Sequence, residues 1–582
     1  MLLMMAVLVV PALLIKRPTA GRQDGTTAGQ PVAPRADTTP GTIGQLGDTA
    51  RLDTVRPAAP LPSGRPDALP SALPEDTIVV ESALYRYEFS TRGARLISAE
   101  LKEYRSMRPE EGGRAAQILR PESELLGLGL LVGRDTVSFH DWHFVPSAPA
   151  VGVTAPRQLN FTAERGEVAV SVTYTFRPDN YLVDAVGQVR GLGAEGGTLL
   201  VGMGPGLRNT EADSSEHFRE LGIVVKDNDA DLTRFTSLDA GQPVLLSGPF
   251  EWVAVKSKYF VTAVLALDTA GTGRLGGISG GRALSTDVLH KDPTTASITI
   301  GLPVPAAGGF RYQVYAGPME YPRLRAIGHD FDDVNPYGWP GIRTIIRPVA
   351  LAARSFLVWM HESLGLAYGL GLVVFGIAIR ILLWPLNQKA MRSTMAMQAI
   401  QPLIKELQEK HKGDPQRQQQ EMFKLYKEHK VNPFGGCWPM LLPWPILIAL
   451  FFVFQNTIEL RGASFLWLPD LSRPDPYYII PVLMGLSMFL LTWIGSRGLP
   501  PNPQTKMMMY LMPGLMTFLF LNFASGLNLY YAVMNVASLP QQWLLIKERQ
   551  KRGIGVPAPA PAPAKKGSGI RGQGSGPVRR KR

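Results

Sequence analysis

Two hydrophobic rhythms divide the chain. From Thr77 to about Met319 apolar residues recur every second position in short runs broken by Gly, Pro, Asp and Asn. Val168, Val170, Val172, Tyr174 and Phe176 alternate with Ala169, Ser171, Thr173 and Thr175, and the turn signal Arg177-Pro178-Asp179-Asn180 follows. Tyr85, Tyr87 and Phe89 alternate with Arg86 and Glu88, as Phe310, Tyr312 and Val314 do with Arg311 and Gln313. Alternation puts apolar side chains on one face of a strand, so these segments read as half-buried strands. Many strands without intervening helical patterns predict an antiparallel β-sandwich over 77–320.

After Tyr337-Gly338-Trp339 the period becomes helical. Ile342, Ile345, Ile346, Val349, Ala353, Phe356, Leu357 and Met360 share one face, while Arg343, Arg347 and Arg354 cluster elsewhere. This predicts an amphipathic helix over 341–362 lying in a membrane interface, with Pro348 marking a kink or the true start. Five long apolar runs follow within 366–546: Leu366–Trp384, Cys437–Phe454, Tyr477–Ile494, Met507–Phe523 and Leu527–Ile546. Each approaches the ~20 residues that a helix needs to cross a bilayer. The fold class expected is therefore a multi-domain membrane protein, an α-helical bundle of five spans joined to an antiparallel β-sandwich.

Between the first two spans, segment 387–434 reads as a helical hairpin. Met391 to Lys412 is helical in period, Gly413-Asp414-Pro415 supplies a stop, an N-cap and a first-turn proline, and Gln416–Lys430 forms the second helix. It carries nine Lys/Arg, including Lys405, Lys410, Lys412, Lys424 and Lys427. The loop Thr457–Pro476 has only Arg461 and Arg473 against three acids. The excess of basic residues places the hairpin and the C-terminus in the cytoplasm and the β domain outside.

Residues 1–15 are apolar and end at Lys16-Arg17. The run is short for a span and lacks a clear cleavage site for a signal peptide. An N-terminal transmembrane anchor whose cytoplasmic start is missing is the preferred reading, although Lys16 and Arg17 would then lie outside, against the positive-inside tendency. Segment 16–76, rich in Pro, Gly and Thr, reads as a disordered tether.

Composition changes the picture in two places. The net charge of +12 suggests nucleic-acid binding, but 547–582 alone contains eleven Lys/Arg and one acid, so the basic signal belongs to a disordered tail. Such a tail suits anionic lipid head groups as well as ribosomal RNA. The single cysteine, Cys437, excludes a disulfide framework and Cys-rich metal sites, and no Walker-A loop, HExxH or GxSxG occurs. His140, His143, His217 and His290 have no organising carboxylate motif, so no catalytic residue, metal or cofactor is assigned.

The residue that carries chemistry is Arg380. It lies in an apolar span, nine residues before Lys389, which is about 13 Å at ~1.5 Å per residue. Such an arginine either snorkels to the interface or faces a water-filled cavity, and the cavity is preferred at this depth. The four later spans contain no Asp or Glu. A buried cation without a fixed anion is suited to meeting a visiting one. Gln455, Asn456, Asn528, Tyr530, Tyr531 and Asn535 are candidates to line the cavity, with an interfacial aromatic belt as the alternative for the two tyrosines. Leu447 and Phe451 in the second span and Met508, Met512 and Met516 in the fourth form an apolar contact face. Thioethers suit varied apolar partners, although ordinary packing explains any single Met.

Several motifs resemble YidC-type membrane protein insertases: Ile379-Arg380 with Trp384-Pro385-Leu386, Asn432-Pro433-Phe434-Gly435-Gly436-Cys437, Glu459-Leu460-Arg461, Asp475-Pro476-Tyr477-Tyr478-Ile479-Ile480-Pro481 and Ser525-Gly526-Leu527-Asn528-Leu529-Tyr530-Tyr531. The resemblance runs from about Thr77 to Lys547 and is looser in the β domain. It implies a bacterial inner-membrane insertase and chaperone, not an enzyme, with six spans, a periplasmic β-supersandwich and no cofactor. It also implies Arg380 in a hydrophilic groove with Tyr531 nearby, nascent membrane proteins as clients, and the Sec translocon as partner. The chain departs from the family at Gly376, one turn before the arginine, where a hydroxyl residue is common. Two other readings are a secondary transporter for an anionic solute, which lacks an inverted repeat here, and a carbohydrate-binding or enzymatic β domain with a membrane anchor.

Overall fold

The computed structural model describes residues 74–239, 244–246, 248–266, 282–287, 295–339, 341–388, 396, 400–429, 444–497 and 503–551. The N-terminal apolar run, most of the tether, His290, Cys437 and the tail beyond Lys551 lie outside the described residues.

Strands run from Thr77 to Pro318 in three sheets of five, nine and five strands. Among the described residues pairing is antiparallel, with one exception at Thr77–Glu81 against Ala150–Gly152. The predicted alternation is realised from Val170 to Phe176, while at the start of the strand Ala169 is buried and Val168 only partly covered. Val170, Val172, Tyr174 and Phe176 are buried, while Ser171, Thr173 and Thr175 are only partly covered. Tyr85, Tyr87 and Phe89 point the same way on Tyr85–Ser90. The first sheet thus lays its aromatic face on the nine-stranded sheet, where Phe89 meets Tyr174 at 5.4 Å and Phe161 at 5.8 Å between ring centroids. Each buried ring stabilises the packing by about 1.5–3 kcal/mol relative to exposure, and Phe89→Ala would cost ~3–5 kcal/mol. In the nine-stranded sheet, Gly309–Pro318 lies between Leu182–Arg190 and Phe260–Ala266, with Phe260 opposite Pro318 at the end nearest the helices. The sequence pattern does not show the short helix α1 (Ser214–Glu220), which Asp213 caps by accepting from Ser215 N and Glu216 N.

The helices that follow are α2 (Tyr321–Ile327), α3 (Arg343–Leu364), α4 (Tyr368–Leu382), α5 (Gln401–Lys410), α6 (Pro415–Glu428), α7 (Trp444–Asn456), α8 (Ile479–Ser496), α9 (Pro503–Phe520) and α10 (Ser525–Lys551). Helix α3 buries Ile346, Ala350, Ala353, Leu357 and Met360 against α7 and α4. Ile345 is exposed rather than on this face, and Pro348 sits inside the helix. Gly365 ends α3 in the left-handed region at φ +64°, and its N–H bonds to His361 O at 3.1 Å. Asp414 caps α6 as expected, accepting from Arg417 N at 3.0 Å.

Helix α10 packs against α8 on one side and α4 on the other, while α9 packs against α8. Asp475 lies just before α8: its carboxylate accepts from Tyr477 N at 3.0 Å and from Ile480 N at 2.7 Å, and the second bond satisfies a donor that the first turn leaves open. Among the described residues, one helix, Ile479–Ser496, is long and apolar enough to cross a membrane by itself; Tyr368–Leu382, Trp444–Asn456 and Met509–Phe520 are shorter apolar helices.

Candidate functional site

The loop after α7 joins the strand and helix regions through charge. Arg461 donates to both carboxylate oxygens of Glu211 at 2.9 and 3.1 Å, to Arg105 O at 2.7 Å and to Thr210 O at 3.1 Å. Its guanidinium also lies over the Phe260 ring at 5.3 Å. Two residues earlier, Glu459 pairs with buried Arg354 of α3. Arg343 and Arg347 pair with Asp333 and Asp332. The arginines that the sequence placed on a polar helix face are therefore engaged by fixed carboxylates, because the segment leading into α3 folds back beside it. Asn456 donates to Pro336 O at 2.8 Å, and Asn335 returns a bond to Asn456 O at 3.2 Å. Asn335 also accepts from Lys256 at 3.3 Å, and burial holds that lysine below its ordinary pKa.

Arg380 is different. It is half-buried in the last turn of α4, and its Nη2 donates to Gln541 Oε1 of α10 at 2.5 Å. Gln541 is 1% exposed, and its Nε2 donates to Trp384 O at 3.3 Å. Among the described residues no carboxylate pairs with Arg380, and its Nε is buried without a partner. One turn earlier, a Cβ built on Gly376 would stand 3.0 Å from Val533 Cγ1 and 3.6 Å from Tyr530 Cδ2. The glycine permits the close approach of α4 and α10 that brings Gln541 to the guanidinium.

The other expected groove residues separate into different places. Tyr530, rather than Tyr531, turns toward α4: its ring lies 5.9 Å from Phe375, and its hydroxyl is buried without a partner among the described residues. Tyr531 turns toward α9, 6.0 Å from Phe520. Adjacent helical residues point about 100° apart, so only one of the pair can face a given neighbour. Asn528 ties down the end of α9 by donating to Phe520 O at 3.0 Å. Asn535 donates to Ser487 Oγ of α8 at 3.1 Å. Gln455 is exposed at the end of α7, beside the strand–helix junction. Gln541 was missed by sequence reasoning; the available signal was an amide side chain inside the last apolar span.

Of the apolar contact residues, Leu447 and Phe451 are half-buried, and the Phe451 ring lies tilted against Phe523 at 5.8 Å. Met512 and Met516 are buried at 5% and 3% exposure, because that stripe of α9 packs inward. The exposed side chains of α9 are instead Met507, Tyr510, Leu511 and Phe518. The Met508 and Lys405 side chains lie outside the described residues. On the hairpin Lys410, Lys412, Lys424 and Lys427 are exposed, with Lys424 paired to Glu421 at 2.7 Å.

Residues 77–351 match the family model of the YidC periplasmic domain, and residues 359–552 match that of the 60Kd inner membrane protein. The membrane protein insertase YidC of Syntrophus aciditrophicus (strain SB) is 30% identical over 545 residues, covering 91% of this chain and 94% of the relative. That of Nitratidesulfovibrio vulgaris (strain Miyazaki F) is 32% identical over 499 residues, covering 83% and 88%. A crystal structure of an active YidC insertase with its first transmembrane domain resolved aligns at 18% identity and a TM-score of 0.33, covering 81% of this chain and 95% of that one. On the strength of the sequence matches along most of both chains, this chain belongs to the YidC family of membrane protein insertases.

Proposed function

We propose that the chain inserts nascent membrane proteins and assists their folding, with Arg380 as the charge that meets the client. In this reading α4, α7, α8, α9 and α10 are the five spans, and α3 lies in the outer interface. The hairpin α5–α6 and the C-terminus are cytoplasmic, and the strand region is periplasmic. The observation that carries it is a half-buried arginine, in an otherwise apolar helix, whose described partner is a neutral amide. A cation in hydrocarbon is costly and keeps its charge, so such a site needs water or a mobile anion.

Insertion is limited by taking a client's polar segment out of water. A hydrated groove reaching Arg380 shortens the dry path, and the guanidinium draws acidic residues of the segment being translocated. The apolar client segment then leaves into lipid along Leu447, Phe451 and the exposed face of α9. No bond is made or broken in the client. The basic tail holds the protein to ribosomes or anionic lipid, and the Sec translocon is a partner by family likeness. A transporter for an anionic solute is not favoured by relatives named as insertases.

The test is insertion by the full chain in reconstituted vesicles, using single-span clients that differ only in the charge of the translocated tail. Arg380→Ala should reduce insertion of the acidic-tail client about tenfold, roughly the effect of one lost charge interaction of 1.4 kcal/mol. Equal insertion by both proteins would end the electrostatic step.

A further inference from the structure

The environment of Arg380 contains a second buried polar side chain that the electrostatic step does not use. Gln541 is almost completely enclosed, and both ends of its amide are engaged. Its oxygen accepts from Arg380 Nη2 at 2.5 Å, and its nitrogen donates to Trp384 O at 3.3 Å. Arg380 lies in the last turn of α4 and Trp384 just past its end, four residues on, so α10 holds the C-terminal end of α4 at two points. The amide orientation is determined by these neighbours. Rotating it by half a turn would set NH2 against a guanidinium, which only donates, and oxygen against a carbonyl, which only accepts.

The chemistry of this partner matters as much as its position. A guanidinium carries five N–H donors and stays charged. A carboxylate at the same place would satisfy a donor and cancel the charge. An amide satisfies the donor and leaves the charge whole. With no carboxylate pairing with Arg380 among the described residues, the field at the site is that of one oriented, uncompensated cation. We propose that Gln541 is a positioning residue for Arg380, and that its neutrality sets the preference for acidic over neutral or basic translocated segments. The proposal rests on Arg380 being the client-facing charge.

The experiment uses the full chain in vesicles with three clients whose translocated tails are acidic, neutral or basic, and reads the ratios between them. Gln541→Glu places a fixed anion against the guanidinium. It should lower the acidic-to-basic insertion ratio about tenfold, to the level of Arg380→Ala, an effect of one compensated charge. Gln541→Met keeps the volume and the charge of Arg380 but removes the acceptor. It should weaken the ratio about two- to threefold without reversing it, as loss of one hydrogen bond would. A purely structural role would lower insertion of all three clients together and leave the ratios alone, and that result overturns the proposal. If Arg380→Ala flattens the ratios while Gln541→Glu does not, this inference alone is wrong. If Arg380→Ala leaves them unchanged, the underlying reading fails. If Gln541→Glu does not fold, unchanged ratios in Gln541→Met overturn it.

Discussion

Arginines at the strand–helix junction and the arginine in the helical bundle meet opposite surroundings. Arg461 closes on Glu211, Arg354 on Glu459, and Arg343 and Arg347 on Asp333 and Asp332. Arg380 closes on an amide. The junction arginines have their charge compensated within the fold, so they hold parts together and have little left for a ligand. The bundle arginine is held by a neutral amide, and among the described residues no carboxylate compensates its charge. Glu459-Leu460-Arg461 shows the first arrangement compactly: its acid reaches α3, its base reaches the strand region, and Leu460 between them is buried.

The largest test of this contrast is Arg461→Ala, which strands a mostly buried carboxylate on Glu211 and should destabilise the folded protein by about 3–5 kcal/mol. Thermal unfolding of the purified protein in detergent reads this, and a loss below ~1 kcal/mol would break the contrast. Replacing both partners with apolar residues of similar volume should recover most of the loss.

His217 sharpens the contrast from another side, because a buried histidine can discharge and a buried arginine cannot. It is fully enclosed, and burial lowers its pKa to about 4; the Leu207 carbonyl at 3.4 Å opposes this and Arg120 adds to it. Below about pH 6.5 the unfolded chain takes a proton that the folded one refuses. This contribution to stability is thus whole above pH 6.5 and falls by about 3 kcal/mol as the pH drops to 4. His217→Gln should flatten the pH dependence of the melting temperature over that window; an unchanged slope would assign it to other groups.

Gly376→Ser tests how Arg380 is held. Its Cβ would press on Val533 at 3.0 Å, so α4 and α10 must part slightly, at a cost of about 1–3 kcal/mol. A disulfide crosslink engineered between the two helices should form more slowly in the variant. The smallest effect is expected far from both regions. Asp414→Ala removes the α6 cap at a cost of about 1 kcal/mol, seen as faster hydrogen exchange in the first turn of that helix, with the ratio between acidic and neutral clients unchanged.

Much of this fold was legible because its periodicities are local. The alternation at Val168–Phe176, the helical period after Trp339 and the Asp414 cap need only neighbouring residues. Division of the strands into three sheets was not legible, since pairing depends on which distant strands meet. At the candidate site Arg380 stood out by its cost in an apolar run. Gln541 did not, because its partner is 161 residues away and the contact requires the close approach permitted at Gly376. Nor does a sequence say which of Tyr530 and Tyr531 turns toward α4, or that Met512 and Met516 pack inward.

By itself the sequence determined where most of the strands and helices form, though not α1, and that one cation must sit among apolar residues, since hydrophobic spacing and the cost of a charge in an apolar helix are properties of short stretches. Only the tertiary structure decided what each arginine meets. Partners separated by a hundred residues or more, such as Arg354 and Glu459 or Arg380 and Gln541, are selected by the packing of whole elements. That packing gives the junction its anions and leaves Arg380 with an amide.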